Sequence, residues 1–202
     1  MNIGFSGCSF TYGAELKDEK RDRYSAVVCR ELGATEYNVS QNAISNDLIC
    51  MNIYDLSRTT KLDFAVIQIT SYLRFSFAMD NNYTTIAPRN IARNGYERSL
   101  AKYVYASDTD YSYWYNLNRW KIDSIHSYLS HIPHIFLFST QDDLDLYTKE
   151  NTSDAVIFNR GLRQYCFDNN LPVGEFKHPL ELSHERIAMD IVIPMIRNTI
   201  RD

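Results

Sequence analysis

The stretch DFAVIQIT at 63–70 constrains the fold more than any other part of the chain. It is a near-continuous apolar run, as expected of a strand covered on both faces rather than on one. Similar short runs stand at 3–6, 37–39 and in HIFLFST at 134–140, with LPVGEF at 171–176 a short last strand or extended segment. Between them the apolar residues change period. Tyr24, Val27, Val28 and Leu32 fall at helical spacing and Gly33 follows as a stop; Leu48, Ile49, Ile53 and Leu56 share one side of a helix over 45–58. Longer helices are expected over 110–131 and 183–200, another over 153–168, and Pro194 should kink the last. Strands alternating with helices in this way predict an α/β protein with a central parallel sheet of about five strands between helical layers. Sites in such sheets form beyond the carboxyl ends of the strands, so the turn at Gly7 and the segments after Val39 and Thr70 should lie together.

The 202 residues are expected to form a single domain over 1–202, with an irregular excursion at about 71–108 where Asn81, Asn82, Pro88 and Gly95 break the pattern. A formal charge of −4 and the lack of a basic run give no reason to expect nucleic acid or an anionic membrane as partner. Neither a signal-peptide pattern nor a membrane-length apolar run is present, so the expected location is cytoplasmic. Cys8, Cys29, Cys50 and Cys166 are scattered without a C-x-x-C pair, which reads as reduced thiols rather than a disulfide frame or zinc site.

Two short stretches at opposite ends carry chemistry. GCSFTYG at 7–13 places Ser9 at the end of the first strand, and GEFKHP at 174–179 places Glu175 three residues before His178. A serine hydroxyl is a weak nucleophile until a neighbouring imidazole takes its proton, and a carboxylate fixes the tautomer of that imidazole. GCSFTYG resembles the first block, G-D-S-x-x-x-G, of the SGNH/GDSL hydrolases, and EFKHP resembles their last, D-x-x-H-P. The run from His178 through Pro179 to His184 and Ala188 is similar to the ending of that family. NVSQNAISND is similar to the second block, and QITSYLR occupies the place of the third.

The resemblance implies a flavodoxin-like three-layer sandwich, the SGNH hydrolase fold. It also implies Ser9 as nucleophile, His178 as general base and Glu175 as its orienting acid. The oxyanion hole would use the backbone N–H groups of Ser9 and Ala43, with a side-chain donor from Thr70, Ser71 or Asn46. Cys8 stands where the family has aspartate, Ala43 where glycine is usual, and the third-block asparagine has no counterpart. No metal or organic cofactor is implied. The expected reaction is hydrolysis of a small acyl ester of the acetyl type, on a carbohydrate rather than a lipid, since no apolar lid is evident. The alternative is a catalytically silent SGNH-like domain serving as a binding or assembly module, for example in a viral particle if the chain is phage-encoded.

Arg74, just past the third-block strand, is a candidate for binding a substrate carboxylate or for an internal ion pair. The aromatic stretch at 103–120 suits sugar stacking, with Trp114 as candidate, or contact with a protein partner or second copy; the competing expectation is that Trp114 is core of the long helix. Cys8 as a rival nucleophile has no activator near it in sequence. His184 is expected to cap or pack, and His126, His131 and His134 to form a surface cluster rather than a metal site. ELKDEKRDR at 15–23 reads as a solvated loop and helix start, its charges balanced.

Overall fold

A computed structural model describes residues 1–79, 82–87, 96–105, 112–149 and 154–201. Strands β1 (Asn2–Ser6), β2 (Thr35–Asn38), β3 (Phe64–Ile69), β6 (His134–Phe138) and β7 (Ile157–Gly161) form one sheet in the order β2-β1-β3-β6-β7. All its pairings are parallel, with Phe5 opposite Val66 and Val66 opposite Ile135 at the centre. Every residue of β3 and β6 is buried, which is why both read as near-continuous apolar runs, broken only by Gln68 in β3 and His134 at the start of β6.

Short helices α1 (Ser9–Tyr12) and α2 (Glu19–Asp22) follow β1, and α3 (Tyr24–Leu32) leads to β2. Helix α4 (Asn46–Thr59) connects β2 to β3. One face of the sheet is covered by α3 and the C-terminal helices, with Tyr24, Val28, Ile187, Ile191 and Ile196 packed on Phe5, Val66 and Leu137. The other is covered by α4 and α6 (Ser112–Tyr128), with Ile49, Ile53, Ile122 and Ile125 packed on Ala65, Ile67 and Phe136. The chain is thus a three-layer α/β sandwich with a five-stranded parallel sheet, as the sequence predicts.

Two segments differ from the sequence expectation, and at 171–176 the extended segment holds over the strand. The excursion after β3 is partly regular: β4 (Phe75–Met79) pairs antiparallel with β5 (Asn82–Ile86), and α5 (Tyr96–Tyr105) follows. Its own small core joins Ile86, Ala101, Val104 and Tyr105 to Phe75, Phe77 and Trp114. The helix expected over 153–168 is instead strand β7 followed by α8 (Leu162–Asp168). β7 is a short edge strand with a register shift and exposed Asn159 and Arg160, so it lacks the apolar run that marks a buried strand. The segment 171–176 is no strand of the sheet; it makes a single antiparallel bridge from Val173 to Pro179. Helix α7 (Gln141–Lys149), whose acidic first turn carries Asp142 and Asp143, follows β6.

The closing segment runs from α9 (Glu181–Arg186) through a π-helical stretch, Ile187–Val192, into α10 (Ile193–Arg201). Pro194 has no N–H to donate back to Asp190, and the wider π turn just before it accommodates that loss without ending the helix. Ile187, Ala188, Ile191, Val192 and Ile196 therefore all stay buried. Among the described residues no helix is long and apolar enough to cross a membrane.

Candidate active site

The carboxyl ends of β1, β3 and β6 open into a cavity of about 390 Å³ lined by Cys8, Ser9, Thr70, Arg74, Ser139, Asp143, Arg163 and His178, among others. Ser9, from the turn after β1, and His178, from near the other end of the chain, both line it.

Ser9 begins α1 immediately after the Gly7–Cys8 turn. A Cβ on Gly7 would lie 2.2 Å from Thr11 Oγ1 and 2.9 Å from Gln68 Cβ, so only glycine lets the strand turn this tightly into the helix. Beneath the turn sits Gln68, a polar residue in the middle of buried β3. Its Oε1 accepts from Cys8 N (3.0 Å), Thr11 Oγ1 (3.2 Å) and Cys8 Sγ (3.3 Å), while its Nε2 donates to Ser139 Oγ (2.5 Å) and Ile69 O (2.7 Å). Gln68 thereby ties the Ser9 turn to β3 and β6. No motif marks Gln68, although an amide inside an otherwise apolar strand signals a buried polar network.

The Ser9 hydroxyl lies 3.7 Å from Cys8 Sγ and makes no hydrogen bond with His178 among the described contacts. Contacts between a serine and its base are often loose without substrate. The Cys8 thiol donates to the Gln68 carbonyl, so it is held as a protonated group under the turn. Burial alone would raise its pKa; the Arg74 charge and hydrogen bonds from Thr70, the Phe10 backbone and Ser9 outweigh that and bring it below the usual thiol value. An activator absent from the neighbouring sequence is thus present in space.

The carboxylate holding His178 is Glu15, not Glu175. Glu15 Oε2 accepts from His178 Nδ1 at 2.8 Å, and the same carboxylate accepts from Phe176 N at 3.2 Å and His178 N at 3.4 Å. Glu175 is exposed. The reason is the shape of the 174–178 turn: Lys177 adopts a left-handed φ of 64°, and Lys177 N bonds back to Gly174 O at 3.0 Å. That turn directs the amides of Phe176 and His178 at Glu15, itself held at φ 72° just past α1. The acid comes from within the charge-rich stretch that reads as solvated loop, where nothing in the spacing separates Glu15 from Asp18 or Glu19.

A carboxylate only accepts, so Nδ1 of His178 carries the proton and Nε2 is the basic nitrogen. Burial, seconded by the charges of Arg163 and Arg74, lowers the His178 pKa below the usual histidine value although Glu15 opposes it. Desolvation works against the ionised Glu15, but the donors from Phe176 and His178 prevail and hold its carboxyl below the ordinary range. At neutral pH the pair is therefore a neutral imidazole beside a carboxylate. Phe10 supports the ring edge-on at 5.6 Å.

Gly174 is the close neighbour that makes room for this pair: a Cβ there would lie 2.5 Å from Glu15 Oε1. Gly174→Ala should push the carboxylate off His178, so that the downfield Nδ1–H proton resonance expected of the paired ring is lost in protein with an unchanged circular dichroism spectrum.

The other expected residues divide. Thr70 and Arg74 line the cavity. Asn46 does not: it is fully buried, and its amide donates to Thr70 O (3.0 Å) and Asn118 Oδ1 (2.9 Å) and accepts from Thr70 N (2.9 Å). It clamps the end of β3 to α6 and has no donor left for an oxyanion. Ala43 is exposed, lies outside the cavity lining and takes a left-handed φ of 62°, which explains why glycine would suit its place. Trp114 also lies outside the lining, packed on Phe75 at 5.1 Å and Tyr105 at 6.1 Å in the small core, so the core expectation holds over the sugar-stacking one. His184 Nδ1 accepts from Tyr24 N at 3.0 Å, capping α3 rather than its own helix. His126 pairs with His134 (2.8 Å) and Asp154 (2.9 Å), a hydrogen-bonded cluster near the start of β6. Among the described residues no group of three metal-ligating side chains converges.

No protein-family model matches the chain, and no curated protein matches it. Solved structures do. A lipolytic protein of the G-D-S-L family from Desulfitobacterium hafniense DCB-2 superposes with a TM-score of 0.58 at 8% identity over 98% of both chains. The psychrotrophic esterase EstA from Pseudoalteromonas sp. gives 0.59 at 8% identity over 99% of this chain and 96% of that one. A two-domain esterase active on acetylated mannans gives 0.59 at 11% identity, this chain spanning 50% of its length. The chain has the SGNH/GDSL hydrolase fold.

Proposed function

We propose that the protein is a serine esterase in which Ser9 is the nucleophile, His178 the general base and Glu15 the acid that orients it. The reading rests above all on the His178–Glu15 pair, whose tautomer leaves Nε2 basic in the cavity that Ser9 also lines. Ser9 Oγ attacks the ester carbonyl carbon as its proton passes to His178 Nε2. The tetrahedral intermediate then collapses, the C–O bond to the alcohol breaks, and the imidazolium returns the proton to the leaving alkoxide. Water, deprotonated by the same nitrogen, hydrolyses the acyl-Ser9 ester. The developing oxyanion would be met by the Ser9 N–H at the start of α1 and by a hydroxyl from Thr70 or Ser71, which both line the cavity. A small acyl group, acetyl in the simplest case, suits the volume, and structural neighbours active on acetylated polysaccharide make a carbohydrate ester the leading substrate.

The test is labelling with a serine-reactive fluorophosphonate followed by peptide mass spectrometry, alongside acetyl ester hydrolysis by the Ser9→Ala protein. Ser9 should carry the adduct, and the variant should lose at least about 1000-fold in kcat. Unchanged turnover removes Ser9 from the chemistry; labelling of Cys8 instead makes the thiol the nucleophile; absence of any adduct and any turnover favours the binding-module alternative.

A further inference from the structure

Two arginines reach the cavity from separate parts of the fold. Arg74 follows β3, and Arg163 lies in the first turn of α8; both line the same space as Ser9 and His178. Among the described residues neither guanidinium forms an ion pair. Arg74 makes one long bond, Nη1 to Ile44 O at 3.4 Å. Arg163 Nε is buried with no acceptor, and its guanidinium lies 5.8 Å above the ring of Phe10, the residue next to the nucleophile.

The acids in the lining form no ion pair with these cations, although Asp143 lies close enough to feel the charge of Arg74. Asp142 is exposed. Asp143 is buried, its carboxylate already accepting from Tyr72 N (3.3 Å) and from the Thr140 hydroxyl, and burial pushes its pKa upward. A desolvated guanidinium donor without an acceptor is costly, and that cost is recovered when a ligand oxygen arrives. The planar fork of arginine fits the paired oxygens of a carboxylate or phosphate.

We propose that the cavity takes an ester bearing an anionic oxygen group, a carboxylate or a phosphate, held by Arg74 and Arg163 beside Ser9. This assignment rests on the Ser9–His178 reading of the site and narrows its substrate to negatively charged molecules of roughly monosaccharide size, consistent with the 390 Å³ available.

The experiment compares three acetyl esters, those of methyl glucoside, of methyl glucuronoside and of glucose 6-phosphate. The native protein should favour at least one anionic ester over the neutral one by about 10-fold or more in kcat/KM, and Arg163→Met or Arg74→Met should bring that ratio towards unity. Preference for glucuronate identifies a carboxylate as the ligand, and preference for the sugar phosphate a phosphate. A native protein that cleaves the esters without favouring either anionic one, or variants that keep the full preference, overturns the proposal. Calorimetric titration of the Ser9→Ala protein with glucuronate, glucose 6-phosphate and glucose separates binding from chemistry and needs no arginine variant. Binding of an anion but not of glucose supports the anion site even if none of the esters is cleaved, in which case the hydrolase reading alone fails; equal or absent binding of all three overturns it.

Discussion

Replacing Glu15 by glutamine should lower kcat on an acetyl ester by about 100- to 10,000-fold, whereas Glu175→Gln should change it by no more than about 2-fold. The contrast follows from position alone. Glu15 holds Nδ1–H of His178 at 2.8 Å and keeps Nε2 basic; Glu175, three residues before the histidine, is exposed. An amide at position 15 can present N–H to the ring and favour the wrong tautomer, while the imidazolium formed during acyl transfer loses its countercharge. Glu15 also accepts from the Phe176 and His178 backbone, so Glu15→Ala should in addition loosen the 174–178 turn and lower thermal stability. Equal losses in Glu15→Gln and Glu175→Gln, or a loss confined to Glu175→Gln, would return the acid's role to the position that the sequence motif favours.

Acid should destabilise the fold through His184. This side chain is fully buried, accepts from Tyr24 N at 3.0 Å and stacks on the Tyr24 ring with centroids 6.0 Å apart. Burial, with the nearby charge of His178 adding to it, drives its pKa from 6.5 down to about 3. The folded state thus holds the neutral ring while the unfolded chain takes up a proton. Stability is complete above the unfolded pKa and falls as pH drops from there towards the folded one, by about 1.4 kcal/mol per pH unit, roughly 5 kcal/mol in all. His134 and His178, also lowered chiefly by burial, act in the same direction. Urea midpoints measured from neutral pH down to about pH 4 should show this decline. His184→Asn, which retains an acceptor near the Nδ1 position and cannot take the proton, should be less stable at neutrality and show a shallower decline. Parallel curves for the two proteins would exclude His184 as the principal acid-sensitive group.

Much of the scaffold is legible in the residues because burial on both faces leaves a strong mark. The apolar runs that become β3 and β6 could hardly be exposed, and the 3.6-residue rows of α3, α4 and α6 match the faces they bury. Legibility fails where an element is only half covered. β7, an edge strand with exposed Asn159 and Arg160, has too few apolar positions to set its period, and the β4–β5 hairpin lies away from the main core. At the site, Ser9 and His178 could be named because each stands in a recognisable local pattern at a strand or turn. Arg163 stands in none, and its place in the cavity follows from the crossing of α8 over the end of β6, where Arg163 N bonds Ser139 O at 3.0 Å.

The residues alone determined the layered parallel sheet; the hydrophobic effect acts along the whole strand and writes itself into composition and period. The tertiary structure decided which carboxylate pairs with His178 and which cations line the cavity with Ser9. Those choices depend on contacts such as Glu15 to His178, between residues 163 positions apart, and on left-handed turns at Glu15 and Lys177 that set the direction of a few backbone amides. Hydrogen bonds and charges act over a few ångströms, so no spacing within either segment encodes the partner that folding delivers to it.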